Sequence, residues 1–382
     1  MIYLDNAAST PLAPEALEAM KASLEGQFAN PSSVHKAGRE ARKGIERARR
    51  AVADLLHADP DTVIFTSGAT ESDNLAIRGV LEPILRTAGK AHAVTTPLEH
   101  PAVRETLEDL KARGLEVTLV ALGADGTVSA DDVLAAVRPE TALVTVMMIS
   151  NEVGSIQPIA EIGKGLRKLG DARPVFHTDA VQGLVSQDID LRKLPVDLLT
   201  ASGHKIYGPK GVGILYVRRG LAGEDFHAVQ TGGGHERCLR SGTENLAGIA
   251  GLGAAAARLA EKREDDLLRY ETLRMRILNA IREKGLNAKP LLPETGPVAP
   301  NILSLECPGK TAEELVIRLS AADVMVAAGS ACKAGDRDAS PILLAMGLPV
   351  ARARSVIRVS LGAMNTEHDI DGFIDALAKV LG

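Results

Sequence analysis

The stretch "SGHKIYGPKG", Ser202 to Gly211, lies between the apolar runs "VDLLTA" and "VGILYV". Both runs read as strands, which puts His204 and Lys205 at the end of a buried strand inside a frame of glycines. A solvated loop lysine needs no such setting. An amine held rigidly and partly desolvated between strands is placed to act as a nucleophile. Lys210 competes for that role, but Pro209 and Gly211 beside it are turn residues, which favours Lys205.

Other polar residues recur at the ends of apolar runs. In "FTSGATESDNLAI" the residues Ser67, Gly68, Ala69 and Thr70 form the turn from a strand into a helix. The N–H groups of such a helix start suit a phosphate. Read alone, the same residues serve as a capping box. Asp179, in "FHTDAVQG", ends an apolar strand and needs a cation or hydrogen-bond donors, since burying a lone carboxylate costs several kcal/mol. It serves equally as a cap of the next helix. His100, ahead of Pro101 in "TPLEHPAV", also reads as a cap, and Asn151 in "ISNEVG" as an ordinary strand-end residue.

Taken together, Thr70, His100, Asn151, Asp179, Gln182, Ser202, His204 and Lys205 form one polar rim at the carboxyl edge of an α/β sheet, where ligands of such sheets bind. The ligand that satisfies them carries a phosphate for the helix start, a cationic ring nitrogen for Asp179, an aromatic face for His100 and an aldehyde for Lys205. Pyridoxal phosphate has all four.

Two further residues complete the chemistry. Cys332, in "AAGSACKAG", sits among small residues with Lys333 next to it, a setting that favours thiolate and access; a small buried cysteine is the plain alternative. Arg358, inside the apolar "SVIRVSLG", needs a carboxylate partner, either an amino-acid substrate held in bidentate fashion or a structural ion pair. Cys307 and Cys238 read as structural. The nine histidines show neither H-x-x-x-H nor C-x-x-C spacing, so a metal site is not expected.

The elements that must position these residues follow from the pattern of apolar runs. Seven strands begin near Val63, His92, Glu116, Ala142, Pro174, Asp197 and Gly213, mostly separated by amphipathic helical segments. That alternation predicts βαβ units and a mainly parallel seven-stranded sheet in an α/β fold. The last two strands are joined too closely for a crossover helix and should run antiparallel. A long helix is expected from Thr243 to Glu283, then a smaller α+β domain with "NILSLEC", a helix from Thr311, "VMVAAGSAC" and "SVIRVSLG". The expected division is a large domain over 15–255 and a small one made of 1–14 and 256–382, the latter carrying Cys332 and Arg358.

The chain has 382 residues, 45% of them hydrophobic and only 2% aromatic, so the core is built from Ala, Leu, Val and Ile. Its formal charge of -5 argues against nucleic-acid or membrane binding. The basic run "REARKGIERARR" and the segment "EKREDD" read as solvated helix faces. Three widely spaced cysteines suggest no disulfide framework and fit a reducing cytosol. The start "MIYLDNAAST" shows no leader, and no apolar run is long enough to span a membrane. A cytoplasmic protein is expected.

Ten motifs in order, from "YLDNAASTP" and "NPSSVHKAGR" through "FTSGATESDNLAI", "EHPAV", "SNEVGSIQPI", "HTDAVQ", "SGHKIYGPKGVG", "GGGHERCLRSGT" and "GSAC" to "IRVSLG", span Tyr3 to Gly362. The chain closely resembles the cysteine desulfurases of the fold-type I, class V aminotransferase-like group. The resemblance implies a homodimeric enzyme that uses pyridoxal 5'-phosphate to convert L-cysteine to L-alanine, leaving the sulfur on the enzyme as a persulfide. It implies delivery to a sulfur-acceptor protein, either an iron–sulfur scaffold or a carrier for thio-cofactor or tRNA synthesis. A selenocysteine lyase or another class V transaminase is the nearest alternative.

By the same resemblance Lys205 is the Schiff-base lysine, His100 stacks on the ring and helps with protons, Asp179 pairs with the pyridinium and Gln182 donates to the ring oxygen. Ala69, Thr70, Ser202 and His204 belong to the phosphate site, which Thr243 reaches from the other subunit. Asn151 and Arg358, with Asn30, hold the substrate carboxylate, and Cys332 takes the sulfur. The segment after "IRVSLG" ends at Gly382, shorter than the tail with which scaffold-docking relatives bind, so docking of that kind is not expected.

Overall fold

The computed structural model describes residues 1–223, 225–294, 296–329 and 339–382. Cys332 lies outside them.

The seven strands expected from the sequence all form: β1 (Val63–Thr66), β2 (Ala91–Thr95), β3 (Leu115–Leu119), β4 (Thr141–Thr145), β5 (Val175–Asp179), β6 (Leu198–Ser202) and β7 (Gly213–Val217). They make one sheet in the order β1-β7-β6-β5-β4-β2-β3. The pairs from β6 to β3 are parallel, and β7 runs antiparallel to both β6 and β1. The short connection Gly203–Val212 forces that reversal, as its length predicts.

Alternate residues of each strand face opposite cores. Ile64, Ala93, Leu143, Val175 and Leu198 face one, with the helices Ala69–Ala88 and Pro101–Lys111. Phe65, Val94, Val144, Phe176 and Leu199 face the other, with helix Lys36–Leu55 and the long helix Leu246–Glu283. Both faces being covered, these strands read as near-continuous apolar runs, which made them visible in the sequence.

The long helix starts at Leu246 rather than Thr243, because Asn245 is its cap and its side chain accepts from Gly248 N at 3.0 Å. Gly253 lets its first half close onto Ala48, where a Cβ would stand 2.6 Å from Ala48 Cα. Near its end, Arg276 and Lys284 pair with Asp371 and Asp375 of helix Glu367–Leu381. A second, antiparallel sheet holds Ala327–Ala328, Val356–Ser360, Ile302–Glu306 and Lys289–Pro290 in that order. The chain's first residues belong with it: Ile2–Tyr3 pairs with Val324–Met325, and Asp5 bridges to Ser360.

Two details fix the edge where the rim residues sit. Gly68 (φ +152°) turns β1 into its helix, and a Cβ on Gly213 would lie 2.7 Å from Gly68 Cα, so the two glycines let these backbones touch. Farther out, Glu236, Arg237 and Cys238 all have positive φ (44°, 59° and 65°), a strained turn for non-glycine residues. It is held by Glu236, buried in a bidentate pair with Arg49 (2.8 Å for each bond) and accepting from Phe65 N at 2.7 Å. Glu236→Ala strands the buried Arg49 charge and is expected to lower stability by about 3 kcal/mol, read as the urea midpoint at unchanged slope.

Candidate active site

The carboxyl ends of β4, β5 and β6, with the turns after β1 and β2, open onto a cavity of about 1020 Å³. Lys205 occupies its floor. The turn Gly203–Lys205 directs Nζ at the N-terminal segment, where it donates to the carbonyls of Ala7 (2.6 Å) and Ala8 (2.8 Å). Gln182 Nε2 donates to the same Ala7 carbonyl at 2.9 Å, and His204 Nδ1 lies 3.2 Å from Ser9 Oγ. "DNAAST" therefore supplies the floor of the site, a part of the motif to which the sequence alone assigned no role.

Asp179 ends β5 inside the wall, 4% exposed. Its Oδ1 accepts from Val181 N at 2.9 Å, so it does cap the following turn. Burial pushes its pKa up to about 6, against the pull of that hydrogen bond and of Lys205. His177 bonds Thr145 Oγ1 (2.8 Å) and Thr200 Oγ1 (3.1 Å), and burial pushes its pKa down to about 3. Asp73, fully buried 3.6 Å from His177 Nε2, is raised well above the carboxylate range by burial and by Asp179. A cation entering the cavity beside Asp179 would draw it back to the ionised form.

His100 is both a cap and a cavity residue. Its Nδ1 accepts from Ala102 N at 3.1 Å, which fixes the ring at the start of helix Pro101–Lys111. Burial first, then Lys205 and Arg104, push its pKa down to about 4. The ring is neutral near pH 7 and, with Nδ1 accepting, carries its proton on Nε2.

Helix Ala69–Ala88 opens without a side-chain cap; Glu71 instead turns back to Ser67 N (2.8 Å) and pairs with Arg240. The capping-box reading thus fails, and Gly68, Ala69 and Thr70 line the cavity at an uncapped helix N-terminus. Ser202, at the end of β6, lines the cavity too. On the opposite side Arg358, 3% exposed in the small sheet, donates to Asn151 O (2.8 Å) and pairs with Asp5 Oδ1 (2.7 Å), while its Nε is buried without a hydrogen-bond partner. The ion pair expected as the plain alternative is present, and the guanidinium still lines the cavity beside Asn151.

Asn30 and Thr243 are not among the lining residues. Asn30 is exposed, its Oδ1 accepting from Ser32 N at 2.8 Å, and Thr243 is exposed in the segment before the long helix. Cys307 is buried, with its pKa pushed up to about 12 by burial, while Cys238 is exposed. Among the lining residues that escaped the sequence reading are the charged Glu99, Glu152, Arg104 and Glu105. Glu99 and Glu152 sit next to His100 and Asn151 within quoted motifs, so adjacency was the available signal. A strand end exposes consecutive residues to one cavity where a regular element would not.

The donor set fits pyridoxal phosphate. The uncapped helix start suits its phosphate, the buried Asp179 its ring nitrogen, Lys205 Nζ its aldehyde and the fixed His100 ring its face.

The chain belongs to the aminotransferase class-V family, which matches residues 2–373, and its sheet arrangement is that of fold-type I pyridoxal-phosphate enzymes. It is 41% identical over 384 residues to the cysteine desulfurase IscS of Klebsiella pneumoniae subsp. pneumoniae, covering 100% of this chain and 93% of that one. The IscS of Salmonella paratyphi B matches at the same identity and coverage. Among solved structures, a NifS-like protein superposes with a TM-score of 0.91 at 34% identity over 100% of this chain and 99% of its own. SspA in complex with cysteine gives 0.82 at 34% identity, covering 96% and 100%.

Proposed function

We propose that this chain is a cysteine desulfurase that converts L-cysteine to L-alanine and passes the sulfur to its own Cys332 as a persulfide. One observation carries the reading. Lys205 Nζ, the Asp179 carboxyl, the His100 ring and the Arg358 guanidinium, drawn from four separate stretches of sequence, line a single cavity. The IscS relatives carry the desulfurase name, and the SspA neighbour holds cysteine, which supports the same substrate here.

When bound, pyridoxal phosphate supplies an electron sink that weakens bonds at the substrate carbons. The N–H groups at Ala69 and Thr70, with Ser202 and His204, would hold its phosphate. Asp179 as a carboxylate would pair with its ring nitrogen, Gln182 would donate to its ring oxygen and the neutral His100 would pack on its ring. Arg358 and Asn151, with Asn30 brought in from its exposed segment, grip the substrate carboxylate and so orient its Cα. Lys205 Nζ carries the proton that leaves Cα. Cys332 attacks the substrate sulfur as thiolate: the S–S bond forms, the C–S electron pair stays with carbon, a proton is added at Cβ and alanine leaves.

Thr243 is exposed and off its own chain's cavity, which supports its reaching the phosphate site of a second copy in a homodimer. The large domain over 15–255 then supplies the coenzyme site, and the small domain of 1–14 and 256–382 supplies Arg358 and Cys332. The persulfide is passed on to a sulfur-acceptor protein in the cytoplasm. Among the described residues no helix is long and apolar enough to cross a membrane.

Asp179→Asn tests the central electrostatic element. It keeps the shape and the bond from Val181 N but not the negative charge. Alanine formation from L-cysteine is expected to fall about 10²- to 10³-fold while the protein still takes up the coenzyme. Turnover at the unmodified rate contradicts the assignment.

A further inference from the structure

Asp5 is not among the described residues that line the cavity, yet its side chain ends on one that is, Arg358. Arg358 sits at the middle of strand Val356–Ser360, paired through its backbone with Ser304 on one side and Ala327 on the other. Its guanidinium has five N–H donors. Nη1 donates to Asn151 O at 2.8 Å, Nη2 donates to Asp5 Oδ1 at 2.7 Å, and Nε is buried without a partner. One contact at each terminal nitrogen fixes the plane of the group and leaves each of those nitrogens one N–H. Asn151 offers it only a backbone carbonyl, so among the described residues Asp5 is the one side chain that sets this plane.

The backbone holds Asp5 in place. Asp5 bridges to Ser360, Ser360 N donates to Leu4 O at 2.7 Å, and Ser360 Oγ accepts from Ala7 N at 2.9 Å. Asn6 Nδ2 donates to Ser360 O at 2.9 Å, and a Cβ on Gly362 would clash with Asn6 Oδ1, so the segment packs closely on the chain that carries Arg358. Two residues on, Ala7 and Ala8 turn their carbonyls to Lys205 Nζ. One short segment thus touches both the arginine and the amine of the site. The Asp5 side chain is 22% exposed and that of Arg358 only 4%. Water screens the carboxylate more than the guanidinium, so Asp5 orients the arginine without cancelling its pull on an anion in the cavity.

We propose that Asp5 is a positioning residue for substrate binding, its carboxylate holding the Arg358 guanidinium in the plane that receives the carboxylate of an α-amino acid. This rests on the reading of Arg358 as part of the substrate clamp. A guanidinium fork gains most from a carboxylate that meets it in plane through two parallel bonds. Held only through Nη1, the group would pivot on that bond, and the entropy of ordering it would fall on each binding event. The effect is confined to ligands that bear a carboxylate, because the Asp5 side chain reaches the cavity only through Arg358.

The test titrates coenzyme-loaded protein with L-alanine, the proposed product, and separately with L-alaninamide, which lacks the carboxylate. The change in coenzyme absorption reports binding of each. In Asp5→Ala the affinity for L-alanine is expected to fall about tenfold to a hundredfold, the effect of losing one charge-assisted hydrogen bond. The affinity for L-alaninamide and the absorption of the loaded protein before titration are expected to stay as in the unmodified protein. Asp5→Asn, whose amide oxygen still accepts from Nη2, is expected to recover most of the affinity for L-alanine. Unchanged or tighter binding of L-alanine by Asp5→Ala overturns the proposal, as does an equal loss for the two ligands. Should Asp5→Ala fail to fold, Asp5→Ser, whose oxygen stops short of the guanidinium, decides by the same criterion. Failure of the reading of Arg358 is distinct: there, the unmodified protein itself would bind L-alanine and L-alaninamide alike.

Discussion

Lys205→Ala is expected to lower alanine formation from L-cysteine by at least about 10⁴-fold, because in the proposed reaction one amine both bears the coenzyme and moves the substrate proton. The geometry makes the loss hard to compensate. Nζ is held by the Ala7 and Ala8 carbonyls at 2.6 and 2.8 Å, in the same cavity as His100 and Asp179. Lys210 also lines the cavity, so it is the natural control. Lys210→Ala should keep the yellow colour of the loaded protein and most of its turnover. Borohydride treatment followed by peptide mapping should find the coenzyme on Lys205 in the unmodified protein and on no lysine in Lys205→Ala. Attachment at Lys210 would reverse the assignment.

The second large effect is expected at Cys332. Cys332→Ala should bind L-cysteine and change the coenzyme absorption as the unmodified protein does, yet in the presence of a dithiol reductant release sulfide at least about a hundredfold more slowly, since the nucleophile proposed to take the sulfur is missing. Cys238, though exposed, should not substitute, and Cys307 is buried with its pKa pushed up to about 12, which leaves almost no thiolate. The outcome also separates reaction classes. A variant that still releases sulfur at full rate would need no enzyme thiol, and the protein would then be a lyase rather than a desulfurase.

Much of this was legible in the sequence. Six of the seven strands were readable because both faces of the sheet are covered there, leaving apolar runs punctuated by helices, while the edge strand Leu115–Leu119 is partly exposed. The reversal of β7 followed from the length of its connection. The rim of Thr70, His100, Asn151, Asp179 and Lys205 was readable because polar residues at the ends of buried strands need a ligand. Hidden from it were effects that depend on distance across the chain. The N-terminal "DNAAST" segment folds under Lys205, nearly two hundred positions away in sequence. Asp73 and His177 meet fully buried near Asp179, and nothing in their local sequence marks it. Asp5 meets Arg358 only in three dimensions. The structural alternatives for His100 and Arg358 are compatible with the site: His100 caps a helix through its ring Nδ1 while lining the cavity, and Arg358 pairs with Asp5 while doing the same.

The most direct test of the desulfurase reading is the fate of the sulfur. Loaded protein given less than one equivalent of sulfur-labelled L-cysteine, then alkylated and mapped by mass spectrometry, should yield one labelled peptide, with the added sulfur on Cys332 and an equal amount of alanine in solution. Label on Cys238 or Cys307, or alanine and elemental sulfur with an unmodified Cys332 throughout the time course, would contradict the account.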